Sequence, residues 1–315
     1  MPLDPEMERY LAETAAMGLR PPWETGATEA RRATDERAPA LAGPPEDVGS
    51  VEDRLLETPE GSVPVRVYRP AGATGGDPLP ALLWYHGGGW VVGSLLTHDV
   101  PCRALANRAG CVVVAVDYRM APEHPFPAAV ADSWIALLWV AEHAAEMGVD
   151  AGRIAVGGDS AGGNLAAVMT LRAAERSHPK LAAQVLVYPV TDVDLETESY
   201  SRNGTGYGLS RDLMRWYIEQ YAPDARTHRD EELAPLKAIS VQGLPPALVV
   251  TCEFDPLRDE GEAYASRLAE AGVPTTRILE EGMLHGYFRW AGITDRAKKT
   301  YDDCATFLRA AFAEA

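Results

Sequence analysis

Cysteine is scarce. The 315 residues hold four, Cys102, Cys111, Cys252 and Cys304, with no CxxC pair and no zinc-ligand spacing. That pattern excludes a disulfide framework and a structural zinc module. Cys111 and Cys252 sit in or beside apolar runs and read as buried, reduced thiols. Basic residues are also in deficit, 29 Lys and Arg against 46 Asp and Glu, for a net charge of −17. Nucleic acid and anionic membrane surfaces recruit clustered Lys and Arg, so neither is an expected partner. The acidity reads as a solvated, soluble surface. Long apolar runs are missing, and none approaches the roughly 20 residues of a membrane helix. The opening stretch, MPLDPEMERYLAETAAMG, lacks the basic start and apolar middle of a secretory signal. A cytoplasmic protein is the expectation.

What is present is ordinary globular material, 46% hydrophobic and 24% charged. The length suits one large α/β domain with an added subdomain, or two small domains. Helical periodicity covers 5–18, and a more polar helix fits 26–38 before Pro44 and Pro45 break the chain. "VEDRLLETPEGSVPVRVYRP" reads as two strands around the turn Pro59-Glu60-Gly61. Short apolar runs then alternate with helices. Strands are expected at Ala81–Tyr85, Cys111–Val116, Arg153–Val156, Gln184–Tyr188, Pro246–Cys252 and Thr275–Leu279. Helices are expected near 99–109, 128–147, 161–176, 259–271 and 294–313. This alternation predicts a mainly parallel sheet covered on both faces, with ligands gathering at the C-terminal strand ends. One segment breaks the rhythm. More than fifty residues separate Pro189 from Pro246, and they carry an apolar load at Leu213, Met214, Trp216, Tyr217 and Tyr221. So long an insertion reads as a lid or binding element that packs with the N-terminal helices. The plainer reading is a buried crossover helix.

The stretch "IAVGGDSAGGNLAAVMTL" (154–171) concentrates the chemistry. Four of the seven residues from Gly157 to Gly163 are glycine, the residue that loses most backbone freedom on folding. Gly158-Asp159-Ser160-Ala161-Gly162 matches G-x-S-x-G between a strand and a helix, the context in which a sharp turn lifts a serine above a sheet. The flanking glycines avoid a Cβ collision with the neighbouring strand or helix. The N-terminus of the following helix favours developing negative charge. A phosphate loop is the weaker reading, because no Walker lysine follows.

A serine nucleophile needs a base, and the base needs an orienting carboxylate, in the chain order Ser, Asp or Glu, His. Of seven histidines, only His178, His228 and His285 follow Ser160. The first lies in a helix-ending turn and the second in a charged stretch. His285, after a strand and beside Gly286, is the expected base. Asp255 ends the apolar run "PPALVVTCEFDPL" and is preferred over Asp192, which also ends a strand, and Asp259, whose place suits helix capping. Upstream, "LLWYHGGGW" puts three glycines right after a strand. The N–H groups of Gly88, Gly89 and Ala161 are expected to hold an oxyanion, with His86 structural. "DYRMAPEHPFPAA" (117–129) reads as a brace under that loop, its Arg119, Glu123 and His124 notwithstanding. No metal-ligand spacing occurs, so no metal or cofactor is expected.

Together, His86–Trp90, residues 117–129, "GDSAGGN" (158–164), "DPLRDEG" (255–261) and "HGY" (285–287) resemble the hormone-sensitive-lipase-like esterases of the α/β-hydrolase superfamily, in the family's order over residues 80–290. The resemblance implies an α/β-hydrolase fold with a mostly parallel sheet and a helical cap. It implies the triad Ser160, Asp255 and His285, the oxyanion hole already named, and a preference for short- and medium-chain acyl esters. It also suggests homodimers, as in many members. Residues 1–45 and 191–224 are then the two parts of the cap, and 46–190 with 225–315 the catalytic domain. Trp90, Leu209, Met214 and Trp216 are expected in the pocket wall.

The expected activity is carboxylic ester hydrolysis of a small-molecule ester through an acyl-enzyme. A non-catalytic ligand receptor is the rival from another class, since receptors exist on this scaffold that have lost the triad base; His285 argues against it. Amidase, thioesterase or lipase activity would use the same parts.

Overall fold

The computed structural model describes residues 2–58, 61–73 and 76–315. Its centre is an eight-stranded sheet in the order β1-β2-β4-β3-β5-β6-β7-β8. The strands are β1 (Ser50–Thr58), β2 (Gly61–Arg69), β3 (Leu79–Tyr85), β4 (Val112–Val116), β5 (Val149–Asp159), β6 (Ala183–Val187), β7 (Ala247–Phe254) and β8 (Thr275–Leu284). β1 pairs antiparallel with β2, and β2 antiparallel with β4; all later neighbours are parallel. Pro59 and Glu60 of the expected hairpin turn lie outside the described residues.

Period-two alternation divides the core. Leu83, Tyr85, Val114 and Val116 point to one face, where they meet the helices α5 (Ala128–Glu142), α6 (Ala161–Arg176) and α9 (Arg258–Glu270). Leu82, Trp84, Val113 and Ala115 point to the other, against α4 (Asp99–Ala109) and α10 (Asp295–Glu314). Both faces being covered explains why the central strands read as continuous apolar runs. All four cysteines are buried and unpaired. Among the described residues, no helix is long and apolar enough to cross a membrane.

The remaining helices gather beyond the C-terminal strand ends. α1 (Pro5–Ala16), α2 (Pro22–Thr25) and α3 (Ala27–Ala42) come first; α7 (Glu198–Asn203) and α8 (Arg211–Tyr221) come from the long insertion. Asp4 caps α1, accepting from Glu6 N at 2.8 Å, and Ser210 caps α8, accepting from Leu213 N at 3.1 Å. Met214, Ile218 and Tyr221 form the buried stripe of α8, at helical spacing. α3 is anchored by Arg31. Its Nε donates to Val91 O at 2.7 Å, and its Nη2 donates to Ala121 O at 2.7 Å and to the Glu123 carboxylate at 2.6 Å. Tyr10 of α1 meets Trp290 at a ring separation of 4.2 Å.

Candidate active site

Ser160 follows β5 directly and opens α6. Its φ of 56° is in the left-handed region, which costs a non-glycine residue on the order of 1–3 kcal/mol. The surrounding packing imposes that turn. A Cβ on Gly158 would lie 2.3 Å from the Gly162 carbonyl carbon, and one on Gly162 would lie 1.9 Å from Tyr85 O. Helix α6 and strand β3 can therefore approach this closely only across glycine. The Ser160 N–H donates to Val187 O at 2.9 Å and fixes the turn to β6.

The partners arrive from the sheet's far edge. The β7–β8 ladder ends with Phe254 opposite Leu284, after a register shift. The next residue on each strand is Asp255 and His285, so the two side chains start as neighbours. His285 Nδ1 donates to Asp255 Oδ2 at 2.7 Å, and Ser160 Oγ lies 2.9 Å from His285 Nε2, placed to donate to it. Asp255 is 1% exposed, and its other oxygen accepts from Leu257 N at 2.8 Å. The Tyr188 ring packs 4.4 Å from the imidazole and limits its rotation. The two competing aspartates are used elsewhere. Asp192 pairs with Lys237 at 2.5 Å, and Asp259 accepts from Ser199 N at 2.7 Å.

Facing Ser160 is the loop after β3. Among the described residues, the N–H groups of Gly88, Gly89 and Ala161 donate to no protein acceptor, leaving three free donors around the serine turn. The loop is held from behind. His86 is buried, its Nδ1 lies 3.0 Å from Gly87 O, and its ring stacks on Tyr118 at 4.2 Å. Burial pushes its pKa down to about 3, so the ring is neutral at ordinary pH. Gly87 N donates to Asp159 Oδ1 at 3.0 Å, and His98 Nε2 reaches the same oxygen at 2.8 Å. Burial works against ionisation of Asp159, but His98, Arg289 and the Gly87 N–H outweigh it and hold the pKa at about 2. Sequence reasoning missed this network. Its only trace was an acidic residue beside the serine, a position that any residue occupies in the motif. The stretch 117–129 does brace the loop. Ala121 N donates to Trp90 O at 2.9 Å, and Arg119 grips Asp132 through bonds of 2.7 to 3.1 Å.

Beside the loop after β3 lies a cavity of about 490 Å³, bounded by α1, α2, α3 and α8 and by Tyr217, Arg289 and Trp290. The four residues expected in the pocket wall fall outside its lining. Trp90, Met214 and Trp216 are core residues, and Leu209 packs against that core. Trp90 stacks on Tyr221 at 4.4 Å. Their sequence neighbours Leu213 and Tyr217 pack at the edge of that core and reach the cavity instead. Tyr217 covers Gly89: a Cβ there would fall 2.2 Å from the tyrosine ring. The ring thus packs on the loop after β3 and lines the cavity at the same time. Among the described residues, no group of three or more His, Cys, Asp or Glu is placed to hold a metal ion.

A serine, an imidazole and a carboxylate in one hydrogen-bonded line, beside three free amides at a strand-to-helix turn, have the parts for acyl transfer. The α/β hydrolase fold family matches residues 82–289, two thirds of the chain. The chain belongs to the α/β-hydrolase family. Within it, the chain falls with the hormone-sensitive-lipase-like esterases. Carboxylesterase NlhH of Mycobacterium tuberculosis is 47% identical over 239 residues, covering 75% of this chain and 74% of its own length. The ethyl acetate hydrolase of Pseudomonas putida is 39% identical over 303 residues, with 94% and 95% coverage. Among solved structures, the esterase of the archaeon Pyrobaculum calidifontis superposes with a TM-score of 0.91 at 39% identity, over 98% of this chain and 99% of that one. An ester hydrolase from the metagenome of Lake Arreo reaches 0.94 at 41% identity, over 99% of both. This α/β-hydrolase and those two solved structures share the fold along nearly the whole chain.

Proposed function

We propose that this α/β-hydrolase is a carboxylic ester hydrolase of short- to medium-chain acyl esters, working through an acyl-enzyme on Ser160. The observation that carries the reading is the unbroken line from Asp255 through His285 to Ser160, at 2.7 and 2.9 Å. His285 Nε2 takes the serine proton as Oγ attacks the ester carbonyl. Asp255 accepts from Nδ1–H, which keeps the tautomer correct and stabilises the imidazolium that forms. The N–H groups of Gly88, Gly89 and Ala161 receive the negative charge on the carbonyl oxygen. Collapse expels the alcohol, protonated by His285. Water activated by the same imidazole then attacks the acyl group, and Ser160 recovers its proton as the acid leaves. The helices of 1–45 and 191–224 serve as a two-part cap over 46–190 and 225–315. The cavity of about 490 Å³ lined by these helices supports a limit on acyl length. The substrate is a small-molecule ester, and a cytoplasmic site of action agrees with four reduced, buried thiols.

The test is Ser160→Ala on p-nitrophenyl butyrate. Loss of the nucleophile should lower kcat by roughly 10⁴-fold or more with the melting temperature little changed. Turnover comparable to the unmodified protein would overturn the mechanism.

A further inference from the structure

The cavity carries a charge opposite to that of the molecule. The chain's net charge is −17, yet the cavity is lined by three guanidinium groups, Arg20, Arg37 and Arg289, against the single carboxylate Glu29. Glu29 is already engaged. Arg32, outside the lining, donates to both of its oxygens at 2.5 and 2.9 Å, and that pairing holds the carboxyl below its usual range. Arg20 is near enough to act on the same carboxyl and is partly offset by it, while no ion pair joins Glu29 to Arg37 or Arg289 among the described residues. Arg37 gives one N–H to Thr14 Oγ1 at 3.2 Å, and among the described residues neither Arg37 nor Arg20 has a carboxylate within ion-pair distance.

Arg289 marks the end of the cavity nearest the chemistry. A Cβ on Gly286, the residue after His285, would lie 3.7 Å from its Nη2. Its Nε is buried with no hydrogen-bond partner, and the nearest carboxylate, Asp159 Oδ2, stands 3.9 Å away. Asp159 also takes His98 and Gly87 N at 2.8 and 3.0 Å, so Arg289 shares that carboxylate's charge with them. Arg37 and Arg289 are half-buried beside Tyr10, Leu213, Tyr217 and Trp290 and have lost part of their hydration, which an incoming anion restores, while Arg20 stands exposed at the cavity's rim. Against a net charge of −17, a group of three guanidiniums at one cavity is a place where an anion is favoured.

We propose that this cavity receives an anionic group of the substrate, so that the preferred esters carry a carboxylate several bonds from the scissile carbonyl. Half-esters of dicarboxylic acids place it on the acyl side; acyl esters of hydroxy acids place it on the alcohol side. The inference rests on the ester-hydrolase reading and names the substrate class of that same site.

The experiment compares kcat/KM for monoethyl adipate with ethyl hexanoate, and for 6-acetoxyhexanoate with hexyl acetate, at low salt and in 1 M NaCl. One carboxylate-bearing ester should exceed its neutral partner by ~10-fold or more, as a charge-assisted hydrogen bond provides, and salt should narrow the gap. Whichever pair shows the preference assigns the cavity to the acyl or the alcohol side. Arg37→Gln should cut the preference by about 10-fold, mainly through KM, while Arg37→Lys keeps most of it. The melting temperature of each variant reports folding. Neutral esters turned over as well as both charged ones would overturn the inference and leave the hydrolase reading standing. Turnover of none of the four would remove both.

Discussion

Gly88→Ala isolates the oxyanion loop from the rest of the machinery. Gly88 sits at φ 129°, and a Cβ there would fall 2.0 Å from Val92 O. That oxygen is backbone, held in a turn in which Val92 N donates to Gly88 O at 2.9 Å, so no side-chain rotation relieves the clash. Restoring ordinary van der Waals contact moves the loop by about 1 Å, a displacement that costs on the order of 100-fold when it misaligns reacting groups. Removing one oxyanion donor costs on the order of 100- to 1000-fold. The two effects act through one displacement and do not multiply. The expected result is a kcat for p-nitrophenyl butyrate lower by roughly 100- to 1000-fold, with KM changed by less than about threefold. The positive φ adds strain of about 1–3 kcal/mol, which lowers the melting temperature by a few degrees in a chain of this size. Steady-state kinetics with a thermal melt by circular dichroism reads both. A kcat within threefold of the unmodified protein, in a folded variant, refutes the loop's assignment to the oxyanion.

Other expectations follow from the same geometry. Asp255→Asn should reduce kcat by about 10⁴-fold with the fold intact, since the amide cannot fix the imidazole tautomer; a loss below tenfold on p-nitrophenyl butyrate contradicts the assignment. Across p-nitrophenyl esters from acetyl to lauroyl, kcat/KM should fall sharply beyond octanoyl, as a cavity of about 490 Å³ would impose, and flat or rising values would point to a lipase. Acid should weaken the fold through His86. Its folded pKa of about 3 is below the free value near 6.5, so the unfolded chain binds the extra proton and stability falls as pH drops through that interval. The loss from this residue is about 2 kcal/mol by pH 5, readable as a lower urea midpoint, and His86→Gln should flatten that part of the curve. Asp159 acts at lower pH: its depressed pKa of about 2 stabilises the fold above its free value, and that contribution disappears as pH falls from roughly 4 to 2.

The grouping of Ser160, Asp255 and His285 was legible because Ser160 and Asp255 follow apolar runs, which a buried parallel sheet leaves in a sequence, and His285 follows in the motif order. Less legible were the lengths of the strands. β5 runs from Val149 to Asp159, beyond the expected 153–156, because Gly157 and Gly158 pair with Trp84 and Tyr85 although they carry no strand signal. β8 continues to Leu284 through Glu280, Glu281 and Gly282, which read as a turn, and that extension delivers His285 to Asp255. Helix α3 passes through Pro39 to Ala42, where the expected helix ended at 38. Polar contacts between distant segments left no local pattern at all. Arg31 with Val91 and Ala121, or His98 with Asp159, depends on which loops the fold brings together. The pocket wall was expected at Trp90, Leu209, Met214 and Trp216. Trp90, Met214 and Trp216 are buried in the core, where burial favours large apolar groups most, while Leu213 and Tyr217 reach the cavity.

The most direct measurement is mass spectrometry of peptides after the protein is inactivated with diethyl p-nitrophenyl phosphate. One diethylphosphoryl group per chain, carried by Ser160, with labelling slowed at least 1000-fold in His285→Gln, is the expected result. A label on any other residue, or ester turnover that persists with Ser160 fully modified, would contradict it.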